Sequence, residues 1–524
     1  MIRLAIAVCC FVAGCAAPGD AAIKQRFIVA AAHPLAAKAG AEILRRGGSA
    51  VDAAVAVQMV LGLVEPESSG IGGGAFMLHW AHGESRLRSY DGRETAPAAA
   101  RPDRFMRDAK PMDFFEAAVG GRSVGVPGVL RMLELAHRRH GRLPWHELFD
   151  PAIRIAEQGF APSPKLREAL ARERFLRSDI FSAPRIVNRE YAETLRVIAR
   201  GGARMFYEGD IAKDIVLAVR THAKPGDLTE EDLRGYRALE REPVCGPYRS
   251  WRICSMGPPS SGGIAVLQML GVLERTNFAR APPQSADALH FFAEAGKLAY
   301  ADRARYLGDP AFVAVPVKIL LDSRYLDRRA TLIGERAMTL APPGDAESGT
   351  SHFSIADARG DIVSMTTTIE AAFGSRIMVR GFLLNNQLTD FDFAPGGANA
   401  VAPGKRPRSS MAPTIVFAKE QPHLVVGSPG GSMIINYVAK ALVGALDWQL
   451  EIQAAIELPN FGSRNGPTLI EQDSRYERLA APLELRGHQV DRIPLTSGLH
   501  GIERSAGGWR GGADPRRDGA VRGE

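Results

Sequence analysis

The chain has 524 residues, with 65 Lys and Arg against 58 Asp and Glu for a net charge of +7, five Cys, 46% hydrophobic and 23% charged residues. This composition is globular and excludes wholesale disorder, collagen-like repeats and a disulfide-framework mini-protein. The basic residues are interspersed with acids and form no stripe, so no nucleic-acid partner is implied; a weak preference for anionic small molecules is the most the balance supports.

At the N-terminus, Met1-Ile2-Arg3 supplies a positive start and Leu4 to Val12 is apolar but too short to span a membrane. Small residues follow. This is signal-peptide grammar over residues 1–14, and Val12-Ala13-Gly14-Cys15 resembles a bacterial lipobox in which Cys15 is lipidated. The alternative is an ordinary signal cleaved near Ala17. The expectation is an exported body in the periplasm or cell envelope, held to a membrane only by a lipid anchor at Cys15.

From about residue 33 to 340 the pattern is mostly helical. Leu35 to Leu44 and Ala50 to Leu63 are Ala-rich periodic segments separated by Gly47-Gly48, with Ser49 placed as an N-cap. Further helical patterns cover Val129 to His140, Pro164 to Leu176, Ile264 to Glu274 and Ala286 to Tyr306. Leu228 to Leu233 reads as a short capped helix, and strands are expected at Gly74 to Trp80 and Arg86 to Asp91. Cys245 and Cys254 flank a turn, which leaves open a cross-hairpin disulfide or two separately buried thiols. After the Pro/Gly-rich stretch Ala341 to Gly349 the texture changes. Ser351 to Ala358 and Asp361 to Ile369 form a hairpin pattern around Arg359-Gly360, followed by β-like runs at Phe382 to Leu384, Thr414 to Ala418 and His423 to Gly427. Helices are expected at Ser432 to Leu446 and near Tyr476 to Arg486. The second half thus reads as a sheet with its own helices.

The junction between the halves, Gly349-Thr350-Ser351-His352, resembles the processing site of the γ-glutamyltranspeptidase family of N-terminal-nucleophile hydrolases. Other motifs fall in family order: Glu65-Pro66 with Gly70 to Gly74, Asp91 to Pro97, Val124 to Gly128, Pro258 to Gly263, Leu384 to Gln387, Ser409 to Thr414 and Gly427 to Gly431. The resemblance spans Phe27 to Arg517 and implies an α+β, four-layer αββα sandwich. It further implies a precursor cut into a large subunit, 15–349, and a small catalytic subunit, 350–524, which stay associated in one shared domain.

The chemistry of the junction can be stated physically. A Thr hydroxyl can attack the preceding carbonyl if the backbone is strained and the oxyanion supported, and Gly349 tolerates conformations closed to residues with a Cβ. Cleavage would free Thr350 as an N-terminus whose α-amine, with a reference pKa of about 7.7–8.0, serves as the base. By resemblance Thr368 orients this nucleophile, and Gly430 and Gly431 supply backbone N–H groups to the oxyanion. Arg93, with Ser409 and Ser410, takes the donor α-carboxylate, while Asp390, helped by Gln387 and Glu370, pairs with the α-ammonium. Small-molecule γ-glutamyl donors and amino acid or peptide acceptors are the implied partners. Relatives that cleave glutaryl groups have no use for an acid at Asp390. The run from Phe391 to Ala400 reaches Ser409 without the insertion that forms a lid in many members, so a more open pocket is expected.

No metal or organic cofactor is implied. Gly70 to Gly74 lacks the Lys-[Ser/Thr] of a P-loop, which leaves a structural or near-site loop, and the 12 His and five Cys show no metal-ligand spacing. Two alternatives remain beside the γ-glutamyltransferase reading: a glutaryl-type (cephalosporin) acylase on the same scaffold, and a non-processed lipoprotein that binds γ-glutamyl peptides.

Overall fold

The computed structural model describes residues 26–176, 179–339 and 349–524. The signal segment with Cys15 and the stretch 341–348 lie outside the described residues. Thirteen strands build two sheets: β1 Ile28–Ala31, β2 Gly74–Ala81, β3 Arg86–Gly92, β4 Leu239–Arg241, β5 Val244–Tyr248, β6 Trp251–Ser255, β7 Gly349–Ala356, β8 Ile362–Glu370, β9 Thr414–Ala418, β10 Gln421–Gly427, β11 His500–Ser505, β12 Gly508–Ala513 and β13 Ala520–Gly523. One sheet runs β13-β1-β7-β8-β2-β3-β4 and the other β12-β11-β10-β9-β6-β5.

The two sheets pack face to face, and alternation along each strand sorts its residues between two layers. Ile28, Ala30, Leu78, Ile415, Val425 and Ile502 point into the space between the sheets. Val29, Ala31, Phe353, Ile355, Val363 and Met365 point the other way, into a core shared with helices α1 Pro34–Arg45 and α2 Ala50–Val64. Both faces of these central strands are therefore buried, which removes the polar half of a period-2 pattern. The outer face of the second sheet is covered by α3 Gly262–Glu274 and α5 Ile434–Leu446, with α4 Ala286–Tyr306 packed on α3. This is the expected αββα layering.

Helix starts follow local chemistry. Ser49 caps α2 in a reciprocal box with Asp52, and Thr229 does the same with Asp232 for the helix Glu230–Gly235. Ala286–Tyr306 has the expected bounds, while Pro164–Arg172 ends earlier than its periodicity suggested. Both sheets draw strands from both parts of the chain: β1 to β4 complete the first sheet, and β5 and β6 lie in the second. The strands at Gly74–Ala81 and Arg86–Gly92 and the pair flanking the Gly246 to Ser250 turn were expected, whereas β1 and β4 escaped notice because Ile28–Ala31 is buried throughout and Leu239–Arg241 is only three residues long. Cys245 and Cys254 face each other across β5 and β6 and form a disulfide, which settles the open pair in favour of the cross-hairpin bond.

Candidate active site

The β7–β8 hairpin turns through Asp357, whose Oδ1 accepts the N–H of Arg359 at 2.9 Å and of Asp361 at 3.0 Å. Register then runs unbroken from Ile362 opposite Ala356 to Thr368 opposite Thr350. The turn thus sets two threonines side by side at the far end of the hairpin. Thr350 Oγ1–H donates to Thr368 Oγ1 at 3.3 Å, and Thr368 Oγ1–H donates to the Gly349 carbonyl oxygen at 2.7 Å. The Glu370 N–H also donates to Thr368 Oγ1, at 2.8 Å. The hydroxyls therefore form a circuit that begins at Thr350 and ends on the carbonyl of the peptide bond before it.

Gly349 does not have the left-handed backbone that would favour glycine. A Cβ there would lie 2.5 Å from the Glu67 carbonyl oxygen, so close packing rather than conformational freedom requires glycine. The Glu65 to Ser69 segment continues beneath this bond. Glu65 Oε2 accepts Ser351 Oγ–H at 2.6 Å, and Lys165 Nζ lies 3.0 Å from both Glu65 and Glu67. The Gly70 to Gly74 run is a near-site loop, as expected: a Cβ at Gly73 would meet the Thr368 carbonyl at 2.1 Å.

A cavity of about 810 Å³ opens at this end of the sandwich and is lined by Thr350, Thr368, Arg93, Glu370, Gln387, Asp390, Ser409, Ser410 and Gly431. Gly349 and Gly430 are next in sequence to the lining residues Thr350 and Gly431 and are not themselves part of the lining. A short 3₁₀ turn, Gln387–Asp390, eclipses its first and last side chains, and Gln387 Nε2 donates to Asp390 Oδ2 at 2.7 Å. Arg93 follows directly on β3 and is fully buried. Its Nε donates to the Pro407 carbonyl at 3.1 Å and its Nη2 to Asp390 Oδ2 at 2.5 Å. The two groups assigned to opposite ends of a donor thus face each other directly in the unliganded site.

Two buried glutamates here are held toward their neutral forms. Burial, reinforced by the nearby Asp390 charge, pushes Glu370 up to about 8, and it sits just past a β-bulge with φ of 80°. Burial likewise pushes Glu94 up to about 8, against the opposing pull of Arg93, and both of its oxygens lack hydrogen-bond partners. Ser409 is tied into the wall, its carbonyl accepting the Ser261 N–H at 2.8 Å. Gly430 and Gly431 have φ of 127° and 55° and lead into α5. A Cβ on Gly430 would come within 2.5 Å of the Tyr437 ring, so this turn admits only glycine.

Sequence reasoning missed several cavity residues: Tyr300 and Arg303 on α4, together with Arg408, Ser432 and Arg464. The helix that carries Tyr300 and Arg303 reads as an ordinary packing helix, and Arg408 and Arg464 as ordinary charges. Only their convergence marks them. Among the described residues no cluster of three or more His, Cys, Asp or Glu could hold a metal ion.

A family model described as gamma-glutamyltranspeptidase matches residues 36–524. The chain is 38% identical to the glutathione hydrolase proenzyme of Bacillus subtilis (strain 168), over 94% of this chain and 91% of that protein. It is 36% identical to the acylase ACY 1 proenzyme of Pseudomonas sp. (strain V22), over 91% and 89%. Among solved structures, the cephalosporin acylase from Bacillus halodurans superposes with a TM-score of 0.85 at 29% identity, covering 95% of this chain and 96% of that one.

Proposed function

The chain belongs to the gamma-glutamyltranspeptidase family, and from that premise we propose that it is an autoprocessed γ-glutamyltransferase and glutathione hydrolase whose nucleophile is Thr350. The observation that carries this reading is the hydroxyl circuit from Thr350 through Thr368 to the Gly349 carbonyl. As Thr350 Oγ1 bonds to the Gly349 carbonyl carbon, its proton passes to Thr368 Oγ1, and the Thr368 proton passes to the carbonyl oxygen. No separated charge builds up in the buried site. Collapse then re-forms the carbonyl, breaks the C–N bond and passes the hydroxyl proton to the leaving nitrogen, which leaves an ester with a free Thr350 α-amine. Hydrolysis of that ester separates the subunits 15–349 and 350–524.

In the mature site the α-amine takes the Thr350 hydroxyl proton during attack on a γ-glutamyl amide and returns it to the leaving amine. The Gly430 and Gly431 N–H groups stabilise the oxyanion. The donor ammonium goes to Asp390, with Gln387 and Glu370 beside it, and the carboxylate to Arg93, Ser409 and Ser410. Water or an amino acid or peptide then takes the γ-glutamyl group from Thr350. The short Phe391 to Ala400 segment leaves room for larger γ-glutamyl donors.

The deciding experiment is intact mass and N-terminal sequencing of the purified protein beside Thr350→Ala. Two chains with the smaller beginning at Thr350, and an uncut variant, are expected. A wild-type chain that stays uncut on prolonged incubation would refute the reading and favour a binding protein.

The acylase relatives support a second reading, a glutaryl-type acylase; Asp390, an acid suited to an ammonium, favours the γ-glutamyl donor. Export with lipidation at Cys15 belongs to the same proposal. It draws support from the Met1 to Cys15 pattern and from the Cys245–Cys254 disulfide, which suits an oxidising compartment. Cys15→Ala is expected to release the protein from the membrane fraction, and unchanged partitioning would count against the anchor.

A further inference from the structure

Arg303 differs from Arg93 and Arg408 in its charge balance. Arg93 is paired with Asp390, and Arg408 lies 3.2 Å from Asp392. Arg303, half-buried in the wall, donates from Nε to Ser261 Oγ at 2.8 Å and from Nη2 to Ser410 Oγ at 2.9 Å. Among the described residues no carboxylate lies within ion-pair distance of it. A guanidinium has five N–H donors, so two neutral hydroxyls neither saturate it nor cancel its charge. Arg408 donates from Nη1 to the Arg303 carbonyl at 3.4 Å, and its charge acts on Arg303 more strongly than the opposing charge of either Asp390 or Asp392. Burial and the Arg408 charge lower Arg303 to about 10, which leaves it charged at neutral pH.

An under-compensated cation in a partly desolvated wall is costly unless an anion joins it. The nearest group that can pass its influence on is Ser410. Ser410 Oγ accepts from Arg303, so its own hydrogen is directed elsewhere, and Ser410 lines the cavity. A hydroxyl polarised by a cation on one side is a strengthened donor on the other.

We propose that Arg303 is a specificity-determining residue of the donor pocket: its guanidinium, with the Ser410 hydroxyl it orients, supplies the uncompensated positive charge that the donor α-carboxylate neutralises. This inference rests on the γ-glutamyl reading above. It explains how a pocket whose Arg93 and Asp390 already satisfy each other can still favour a zwitterion. The ammonium joins Asp390, and the carboxylate meets Arg93 on one side and the Ser410–Arg303 pair on the other.

The test compares γ-glutamyl anilide with 4-aminobutyryl anilide, which keeps the ammonium and lacks the α-carboxylate. Arg303→Met is expected to raise KM for the γ-glutamyl donor by about 10- to 100-fold, the range for hydrogen bonds to charged groups, with kcat changed far less. It should leave kcat/KM for the 4-aminobutyryl donor within about threefold. Arg303→Lys should recover part of the loss. Equal losses on both donors, or an unchanged γ-glutamyl KM, would overturn the inference. Should Arg303→Met fail to mature, Arg303→Gln decides, because it keeps a polar side chain that can reach Ser410 and removes only the charge: the same selective rise in KM is expected, and an equal loss on both donors or no change overturns the proposal. Wild-type protein that cleaves neither donor would remove the γ-glutamyl reading itself, an outcome distinct from a variant that loses both donors equally.

Discussion

Thr368→Val removes one hydroxyl from the β7–β8 hairpin while keeping a β-branched side chain suited to a strand. The lost oxygen accepts from Thr350 Oγ1–H and the Glu370 N–H and donates to the Gly349 carbonyl at 2.7 Å. That donated bond delivers a proton to the carbonyl oxygen as Thr350 attacks, so without it the oxygen would carry the charge unsupported, as on removal of an oxyanion donor. Such a loss costs about 100- to 1000-fold in rate. The fold should survive: the unpaired Glu370 N–H costs about 1–3 kcal/mol, against a typical stability of about 5–15 kcal/mol. The assay follows conversion of purified precursor into two chains over time, by gel and by intact mass. Folded, soluble and uncut precursor persisting at least about 100-fold longer than wild type is expected, with Thr368→Ser within about tenfold of wild type. Maturation of the Val variant at the wild-type rate, or a Ser variant as slow as Val, would refute the circuit.

Asp390→Asn should lower kcat/KM for a γ-glutamyl donor by about 10-fold or more, since it removes a charge-assisted contact to the ammonium, and should spare a glutaryl donor; equal losses on both would dismiss the assignment. Gly430→Ala should abolish activity or soluble expression, because its Cβ would lie 2.5 Å from the Tyr437 ring at a φ of 127°; wild-type turnover would show that the turn relaxes freely. Glu94 binds its proton more tightly in the folded state, at about 8, than in the unfolded chain. Its contribution is therefore present below the unfolded carboxyl pKa and is lost as pH rises toward 8, at up to about 1.4 kcal/mol per pH unit. Melting temperature should accordingly fall from pH 5 to pH 8 in the wild type and fall less in Glu94→Gln; identical slopes would argue against a proton on Glu94.

Much of this was legible in the sequence wherever structure is made locally. The Ser49–Asp52 box announces α2, and the Asp357 to Asp361 turn announces a hairpin that must set Thr350 opposite Thr368. The ordered Gly, Ser and acid motifs pointed to the residues around the cavity. Strands buried on both faces, such as Ile28–Ala31, carry no alternation and stayed hidden.

Tertiary structure alone decided what depends on company. Arg93 and Asp390 are 297 residues apart, and nothing local says that they neutralise each other before any ligand arrives. Gly349 was read as conformationally free, yet a carbonyl oxygen from the Glu65 to Ser69 segment is what excludes a side chain there. Arg303 sits in a helix whose pattern is that of packing, and its charge is left short of a partner because the folded wall brings two serines and Arg408 to it and, among the described residues, no carboxylate within ion-pair distance. Helix periods, caps and turns are written in neighbouring residues. Charge balance and close approach are properties of surfaces that meet only when the chain has folded.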